Sequence, residues 1–304
     1  MGALYRVEHE TRYLYASSVS TSQHVAYLHP RELPRQHVRA FELAIDPGPT
    51  RAVRRLDYFG NALDQFTVVK LHTELSVHAR SLVEVLPPEG RVEPELSPPW
   101  EEVREGLRYR PGRPPDGSVE YAYASPYVSL DPELEEFART SFTPERPLLA
   151  AAIDLMHRIH TEFRFDPAAT TITTPVRRVL VERRGVCQDF AHLQISCMRA
   201  LGVAARYVSG YLLTDPPPGQ PRLAGADASH AWLSAHCPRH GWIDLDPTND
   251  ALPAVRHITL AWGRDYGDVS PLRGVILGGA QHTLGVAVSV VPLAPERSGN
   301  PPTE

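Results

Sequence analysis

The stretch Arg183-Arg184-Gly185-Val186-Cys187-Gln188-Asp189-Phe190-Ala191-His192 governs how the rest of this chain is read. After Gly185 the apolar residues Ala191, Ile195 and Met198 recur three or four apart, with Phe190 flanking them, which predicts a helix with one buried face. Cys187 falls in the first turn of that helix. The first backbone N–H groups of a helix have no intrahelical partner and carry about half a positive charge between them, a setting that favours a thiolate. A cysteine so placed is a candidate nucleophile. The competing reading is an inert core cysteine, and residues further along decide between the two.

Downstream, Gly202 stops the helix and residues 203–213 read as a strand. Residues 214–226 hold Pro216-Pro217-Pro218-Gly219 and Pro221, a loop in which substrate choice is expected to be made. Two strands follow, 230–236 and 242–246, joined through Cys237-Pro238-Arg239. A thiol nucleophile needs a base within hydrogen-bond reach and a third group to orient that base. If the hairpin closes with His236 opposite His240, His230 faces Asp246. The period of two then puts His230, Trp232 and Ser234 on the same face as Trp242, Asp244 and Asp246. A one-residue slip would send Asp246 to the other face.

Upstream, Thr174-Pro175 opens a short helix that Gly185 ends, Thr143-Pro144 precedes a helix bearing Leu149, Ile153, Met156 and Phe163, and Asp131-Pro132 starts another. Residues 87–130 are proline-rich without periodicity and read as a linker over the surface. Residues 4–85 alternate with period two, as in Phe41, Leu43, Ile45 and in Leu75, Val77, Ala79, with turn signals at Asp46-Pro47-Gly48-Pro49 and Phe59-Gly60-Asn61. That pattern predicts antiparallel strands packed as a β-sandwich. The tail reads as a Gly-rich loop over 263–279 and then an alternating strand through Leu284, Val286, Val288 and Val290. The expected class is therefore α+β: a β-sandwich domain over 1–86, a linker over 87–130, a core over 131–293 with the nucleophile helix packed on an antiparallel sheet, and a disordered tail over 294–304.

With 304 residues, 42% of them hydrophobic, the chain can bury a large core. Its net charge is -5 with both signs scattered, so neither nucleic acid nor an anionic membrane is an expected partner; a small molecule or a peptide is. Residues 1–10 lack a basic start and apolar run, and no later window reaches the ~18 apolar residues of a membrane span, so a cytoplasmic location is expected. Cys187 and Cys197 stand roughly 15 Å apart along one helix, too far for a disulfide. The histidines of residues 4–85 have no repeated ligand spacing, and neither metal nor cofactor is expected. Asp189 and His192 are expected to have helix-surface roles and Cys197 a place in the core.

Four ordered blocks carry a family resemblance: Gly185-Val186-Cys187-Gln188-Asp189-Phe190-Ala191-His192, Ala205-Arg206-Tyr207-Val208-Ser209-Gly210-Tyr211, Asp227-Ala228-Ser229-His230-Ala231-Trp232 and Gly241-Trp242-Ile243-Asp244-Leu245-Asp246-Pro247-Thr248-Asn249. With these the chain resembles the bacterial transglutaminase-like proteins, whose papain-like Cys-His-Asp core transglutaminases share with some cysteine proteases. The resemblance runs from about Leu4 to Leu293, includes the tail block Gly263-Arg264-Asp265-Tyr266, and departs at Ala204, where a proline is common. It implies Cys187 as nucleophile, His230 as base and Asp246 as its orienting group, with Trp232, Asp227 and Gln188 at the substrate cleft. The backbone N–H of Cys187 is the expected oxyanion donor. The implied activity is acyl transfer from a peptide or amide carbonyl through a thioester. Hydrolysis is the first expectation, since no acidic calcium loop of the EF-hand type is present. Protein-glutamine gamma-glutamyl transfer is the alternative, and a non-catalytic peptide-binding or scaffold protein of the same fold is the second. Oligomeric state is not legible in the sequence.

Overall fold

A computed structural model describes residues 2–112, 116–214 and 229–293. In chain order the elements are β1 (Ala3–Ala26), β2 (Gln36–Asp46), β3 (Arg51–Leu56), β4 (Ala62–Val68), β5 (His72–Val85), α1 (Trp100–Gly106), α2 (Pro132–Arg139), α3 (Leu148–Glu162), β6 (Arg164–Phe165), α4 (Val176–Glu182), β7 (Arg184–Gly185), α5 (Cys187–Ala200), β8 (Ala205–Leu212), β9 (Ser229–Cys237), β10 (Gly241–Leu245), β11 (His257–Gly263), α6 (Tyr266–Val269), β12 (Leu272–Gly278) and β13 (His282–Leu293). The chain is α+β, with a sheet domain first and a mixed core after it.

The first half is built on β1. Its early residues pair with β5 and its later ones with β4, and the register shifts between Leu14 and Val19, where the strand changes partners. Alternate residues of β5, including Leu75, Val77, Ala79, Val83 and Val85, are buried. Leu75, Val77 and Ala79 meet Phe66 and Val68 of β4 and Val19 of β1 in one apolar cluster. Strands β4 and β5 are not hydrogen-bonded neighbours, so this cluster is the filling of a sandwich. The expected sandwich therefore arises from one continuous hydrogen-bonded sheet turned over on itself.

In the core, α5 lies between α2, α3 and α4 and the sheet ordered β10-β9-β8-β11. All of its residues from Asp189 to Arg199 are buried. This corrects the expected single apolar face: a helix with helices on one side and a sheet on the other has no solvent side, so its polar residues must find internal partners. Gln194 donates Nε2 to the carbonyl of Ala152 at 2.8 Å. Arg199, only 1% exposed, donates to the carbonyl of Ala205 from Nε and Nη2 at 3.0 and 2.8 Å, to Tyr123 O at 2.9 Å, Ser125 Oγ at 3.2 Å and Arg264 O at 2.6 Å.

Four further expectations change. Residues 87–130 do more than cross the surface, because α1 is present, Trp100, Val103 and Val128 belong to the core cluster and Tyr121 is buried too. Leu148 begins α3 directly after Pro147, and α4 ends at Arg183 in the left-handed conformation (φ 54°), two residues before Gly185. Residues 263–279 are not a loop: Asp265 caps α6 through the Gly267 N–H, and β12 follows. Strands β12 and β13 both pair antiparallel with β1, so the tail returns to the first sheet and leaves the core. Hydrophobic alternation specifies a strand but not the edge it joins. The expected disordered tail, 294–304, lies outside the described residues.

Arg199 ties α5 to β8, to the segment before α2 and to the segment before α6. Replacing it with Met leaves those carbonyls buried without their donor, so Arg199→Met is expected to lose about 3 kcal/mol, given that each hydrogen bond to a charged group contributes ~1.5–3 kcal/mol. Urea unfolding checks this: the midpoint falls while the slope is unchanged.

Candidate active site

Cys187 is the first residue of α5 and half-buried, and the preceding Val186 is extended (φ -117°, ψ 179°), which turns the chain sharply into the helix. Asp189 reaches back to hold this entry, its Oδ2 accepting from the Val186 N–H at 2.8 Å and from Thr170 Oγ1 at 2.6 Å. A Cβ at position 185 would stand 2.7 Å from that same Oδ2, so the glycine before the cysteine leaves room for the Asp189 carboxylate. Burial raises the Asp189 pKa, and the Thr170 and Val186 bonds pull it back. This half of a capping box fixes the direction of the helix start and hence the place of the sulfur.

His230 is the second residue of β9, Asp246 follows the last residue of β10, and His257 is the first of β11. All three therefore lie at one end of the four-stranded sheet. The β9–β10 hairpin pairs Cys237 with Gly241, His236 with Trp242 and Ser234 with Asp244, two residues out from the expected register. A shift of two preserves the faces. His236 packs on Trp242 with ring centroids 5.0 Å apart, Ser234 donates its hydroxyl to Asp244, and His230 Nε2 stands 2.7 Å from Asp246 Oδ2. His230 and Asp246 thus meet diagonally and not directly across the ladder. Gly210, the partner of His230 on β8, has no room for a side chain, since a Cβ would lie 2.5 Å from the Trp232 indole and 2.2 Å from the Ile258 carbonyl.

Asp246 is fully buried and surrounded by donors. Oδ2 accepts from His230, from His257 Nε2 at 3.0 Å and from Asn249 Nδ2 at 2.8 Å, and Oδ1 from the backbone N–H groups of Thr248 at 3.0 Å and Asn249 at 3.3 Å. Burial opposes the charge on this carboxylate, yet the two histidines and Asn249 outweigh it and hold its pKa far below the usual range. The loop that carries it is tied to α3 by His157 Nδ1 to Asp250 Oδ2 at 2.7 Å and by His160 Nδ1 to the Thr248 carbonyl at 3.0 Å. Burial also works against a charged His230, but hydrogen bonds to Asp246 and to Cys187 raise its pKa well above the ordinary histidine value. With Nε2 on Asp246, Nδ1 is the nitrogen left for the Cys187 sulfur.

His230, Asp246 and His257 have their ligand-capable atoms within 4.8 Å of one another. Their actual spacings, 2.7 and 3.0 Å to one shared oxygen, are hydrogen-bond lengths. Ligands of a tetrahedral metal ion about 2.1 Å from its centre stand about 3.4 Å apart, so the present arrangement satisfies itself without an ion.

The other expected site residues separate. Trp232 is 0% exposed and so does not wall an open cleft; it lies beneath the site, its ring centroid 6.0 Å from His230 and 5.2 Å from His257. Gln188 is half-buried, with Nε2 3.4 Å from the Ile172 carbonyl. Asp227, and residues 215–226 of the expected specificity loop, lie outside the described residues. Asp189 and His192 are buried, not on the helix surface. Burial pushes the His192 pKa down to about 3, so its Nε2 is a bare acceptor for the Tyr266 N–H at 3.1 Å, which docks the tail block against α5. Cys197 and Cys237 are both fully buried, and Cys237 ends β9 facing the core instead of lying in the turn. Sequence reasoning missed His257 and Tyr207. Burial first, and then nearby Cys187, raise the Tyr207 pKa well above its usual range, keeping a neutral hydroxyl near the thiol. No spacing marks His257; Asn249, by contrast, stands inside a motif block.

Residues 5–84 match the bacterial transglutaminase-like N-terminal region, and residues 135–247, which include Cys187, His230 and Asp246, match the transglutaminase-like superfamily. An uncharacterized protein of Mycobacterium tuberculosis is 43% identical over 296 residues, covering 95% of this chain and 92% of that one. One from Mycobacterium leprae is 32% identical over 296 residues, 95% and 99% of the two chains. A protein-glutamine gamma-glutamyltransferase of Pseudomonas aeruginosa is 27% identical over 121 residues, 40% of this chain and 18% of that protein. Among solved structures, a Cytophaga hutchinsonii protein described as a candidate cysteine protease superposes with a TM-score of 0.74 at 19% identity, over 98% of this chain and 93% of that one, a likeness of fold. The sandwich, the helix-borne cysteine and these matches agree, and the chain belongs to the transglutaminase-like superfamily, with the bacterial transglutaminase-like N-terminal region preceding its core.

Proposed function

We propose that the protein is a cysteine-dependent acyl-transfer enzyme that hydrolyses peptide or amide bonds, with Cys187 as nucleophile, His230 as acid and base, and Asp246 as the group that orients and charges His230. The observation that carries this reading is the fully buried Asp246 carboxylate with His230 held between it and Cys187. The sulfur, as thiolate, attacks the carbonyl carbon; His230, as imidazolium, gives its proton to the departing amine, and a thioester is left on Cys187. Water then attacks the thioester as His230 takes its proton, releasing a carboxylic acid and restoring the thiol. The Cys187 N–H at the helix start is the donor assigned to the oxyanion. A cytoplasmic location belongs to the same reading, because three unpaired cysteines suit a reducing compartment. Among the described residues no helix is long and apolar enough to cross a membrane.

Protein-glutamine gamma-glutamyl transfer is the second reading, favoured by the likeness to the Pseudomonas aeruginosa transferase. The thioester is common to both, and the difference lies in whether the cleft admits an amine while limiting water. A scaffold that binds peptides without turning them over is the third, and it does not require a reactive thiol.

Brief iodoacetamide treatment followed by mass spectrometry separates the third reading from the first two. Cys187 is expected to be labelled at least ~10-fold faster than either other cysteine, since the burial of Cys197 and Cys237 withholds them. Labelling of all three at one rate would remove the enzyme reading.

The Asp246→Asn variant is expected to lose ~10²–10⁴-fold in kcat/KM, as the base loses its orienting charge. Asp246 helps hold the His230 pKa up, so its removal lets the imidazolium deprotonate at lower pH. The alkaline limb of the pH profile, measured on wild type and variant, therefore moves toward neutrality in the variant.

With a glutamine peptide and a labelled primary amine at millimolar concentration, deamidation or cleavage is expected to exceed amine incorporation. Incorporation that outruns hydrolysis, and disappears in Cys187→Ala, would replace hydrolysis with transfer.

A further inference from the structure

On the face of the four-stranded sheet that carries Trp242 and Asp244, a cavity of about 380 Å³ opens between that sheet and the β1–β5 domain. Leu33, Pro34 and Val85 supply an apolar wall from the first domain, and Val208, Trp242 and Trp262 one from the core. Arg206 points its guanidinium into this lining. Its side chain is packed between two indoles, 4.3 Å from the Trp242 ring centroid and 3.7 Å from that of Trp262, and the residue is only 9% exposed.

Stacking covers the two flat faces of the guanidinium and leaves its N–H groups in the plane to find acceptors. Among the described residues the acceptor it meets is Ser234 Oγ, from Nε, at a long 3.4 Å. The Ser234 hydroxyl in turn donates to Asp244 Oδ1. Asp244 supports the charge on Arg206 from a distance, while burial lowers the Arg206 pKa to about 10. The cation therefore persists at neutral pH, in a cavity, with both Nη groups lacking an acceptor among the described residues. The Nη groups are not sealed away as buried atoms without a partner but border the cavity, and an acceptor of matching planar geometry arriving there can pair with both at once.

Arg35 also lines the cavity, so two guanidinium groups face the single carboxylate of Asp244 there. Asp244 sits there too and opposes a dianion, which favours a carboxylate over a phosphate group. We propose that this cavity binds a small molecule bearing one carboxylate on an apolar body, with the paired Nη groups of Arg206 as the bidentate donor. Cys187 is not part of the cavity lining, and the link to the chemistry proposed there runs through one residue. His257 belongs to both places: it lines the cavity and donates Nε2 to Asp246.

Two of the four tryptophans, Trp242 and Trp262, are cavity walls, so intrinsic fluorescence reports occupancy. Titration with benzoate is expected to give a saturable emission change and a raised Tm, and benzamide, its uncharged counterpart, to bind at least tenfold more weakly. Arg206→Gln is expected to lose the benzoate response. Because a buried arginine variant can fail to fold, Ala254→Trp provides the second test: it fills the cavity from the rim, leaves Arg206 in place, and is expected to abolish binding while unfolding normally. Cys187→Ala is expected to bind benzoate as wild type does, which separates this site from the thiol. An N-acetylated tripeptide run beside its C-terminal amide distinguishes a peptide carboxylate from a free one as the source. The proposal is overturned if benzoate and the tripeptide give no saturable response at millimolar concentration, if benzamide binds as tightly as benzoate, or if the response survives in folded Arg206→Gln or Ala254→Trp.

Discussion

The Asp246 carboxylate has no solvent contact yet keeps a pKa far below the usual range, and the end of the four-stranded sheet is arranged around that charge. Desolvating Asp246 alone costs several kcal/mol. Five donors offset it, and they come from separate parts of the chain: His230 from β9, His257 from β11, and Asn249 with two backbone N–H groups from the loop after β10. Strands β10 and β11 are opposite edges of the sheet. Between β9 and β11 lies β8, whose Gly210, the partner of His230, leaves room for Trp232 and the Ile258 carbonyl where a larger residue would collide with both.

Much of this was legible because it is local. The Cys187 block predicts a helix start, and the hairpin places His230 and Asp246 on one face by strand periodicity alone. The observed register differs by two residues, which changes which pairs are opposed and leaves the face intact; one residue would have substituted Leu245 or Asp244 for Asp246. The rest depends on tertiary neighbours that no window of sequence contains. Helix α5 shows a three-to-four periodicity, yet it is buried all round because α2, α3 and α4 cover the face that the pattern assigns to solvent. Trp232 was expected at a cleft, but the space over Gly210 draws it beneath the site. Strand β13 alternates cleanly, and its pairing with β1 follows from the path of the whole chain. His257 opens a strand with nothing beside it to mark a role.

The return of β12 and β13 to β1 bears on how the two parts of the chain hold together. The core begins and ends on the same sheet, so the β domain and the core are fastened at both ends of the core segment. His9 on β1 reaches Tyr211 on β8 at 2.9 Å, and Gln36 on β2 brackets Thr259 on β11, donating to its carbonyl at 2.7 Å and accepting from its N–H at 2.8 Å. Burial lowers the His9 pKa to about 4, so this contact between neutral groups persists across the physiological range. An interface fixed in this way can support a cavity of defined shape between its two sides.

Two buried arginines show how structural and ligand-directed burial of a charge can be told apart. Arg199 and Arg206 are both almost without solvent contact, and burial lowers both to about 10. Arg199 has every nitrogen bonded, largely to carbonyls that would otherwise be orphaned at chain crossings; its charge is used up inside the protein. Among the described residues, Arg206 has aromatic rings on both faces, one long bond to a serine and a place in the cavity lining. Stacking holds a guanidinium in place without consuming its donors, whereas hydrogen bonding consumes them. A fold that needed only to neutralise Arg206 would have done so with carbonyls, as it does for Arg199. The directional donors left at the edge of Arg206 are the kind of feature that recognises an acceptor arriving from outside.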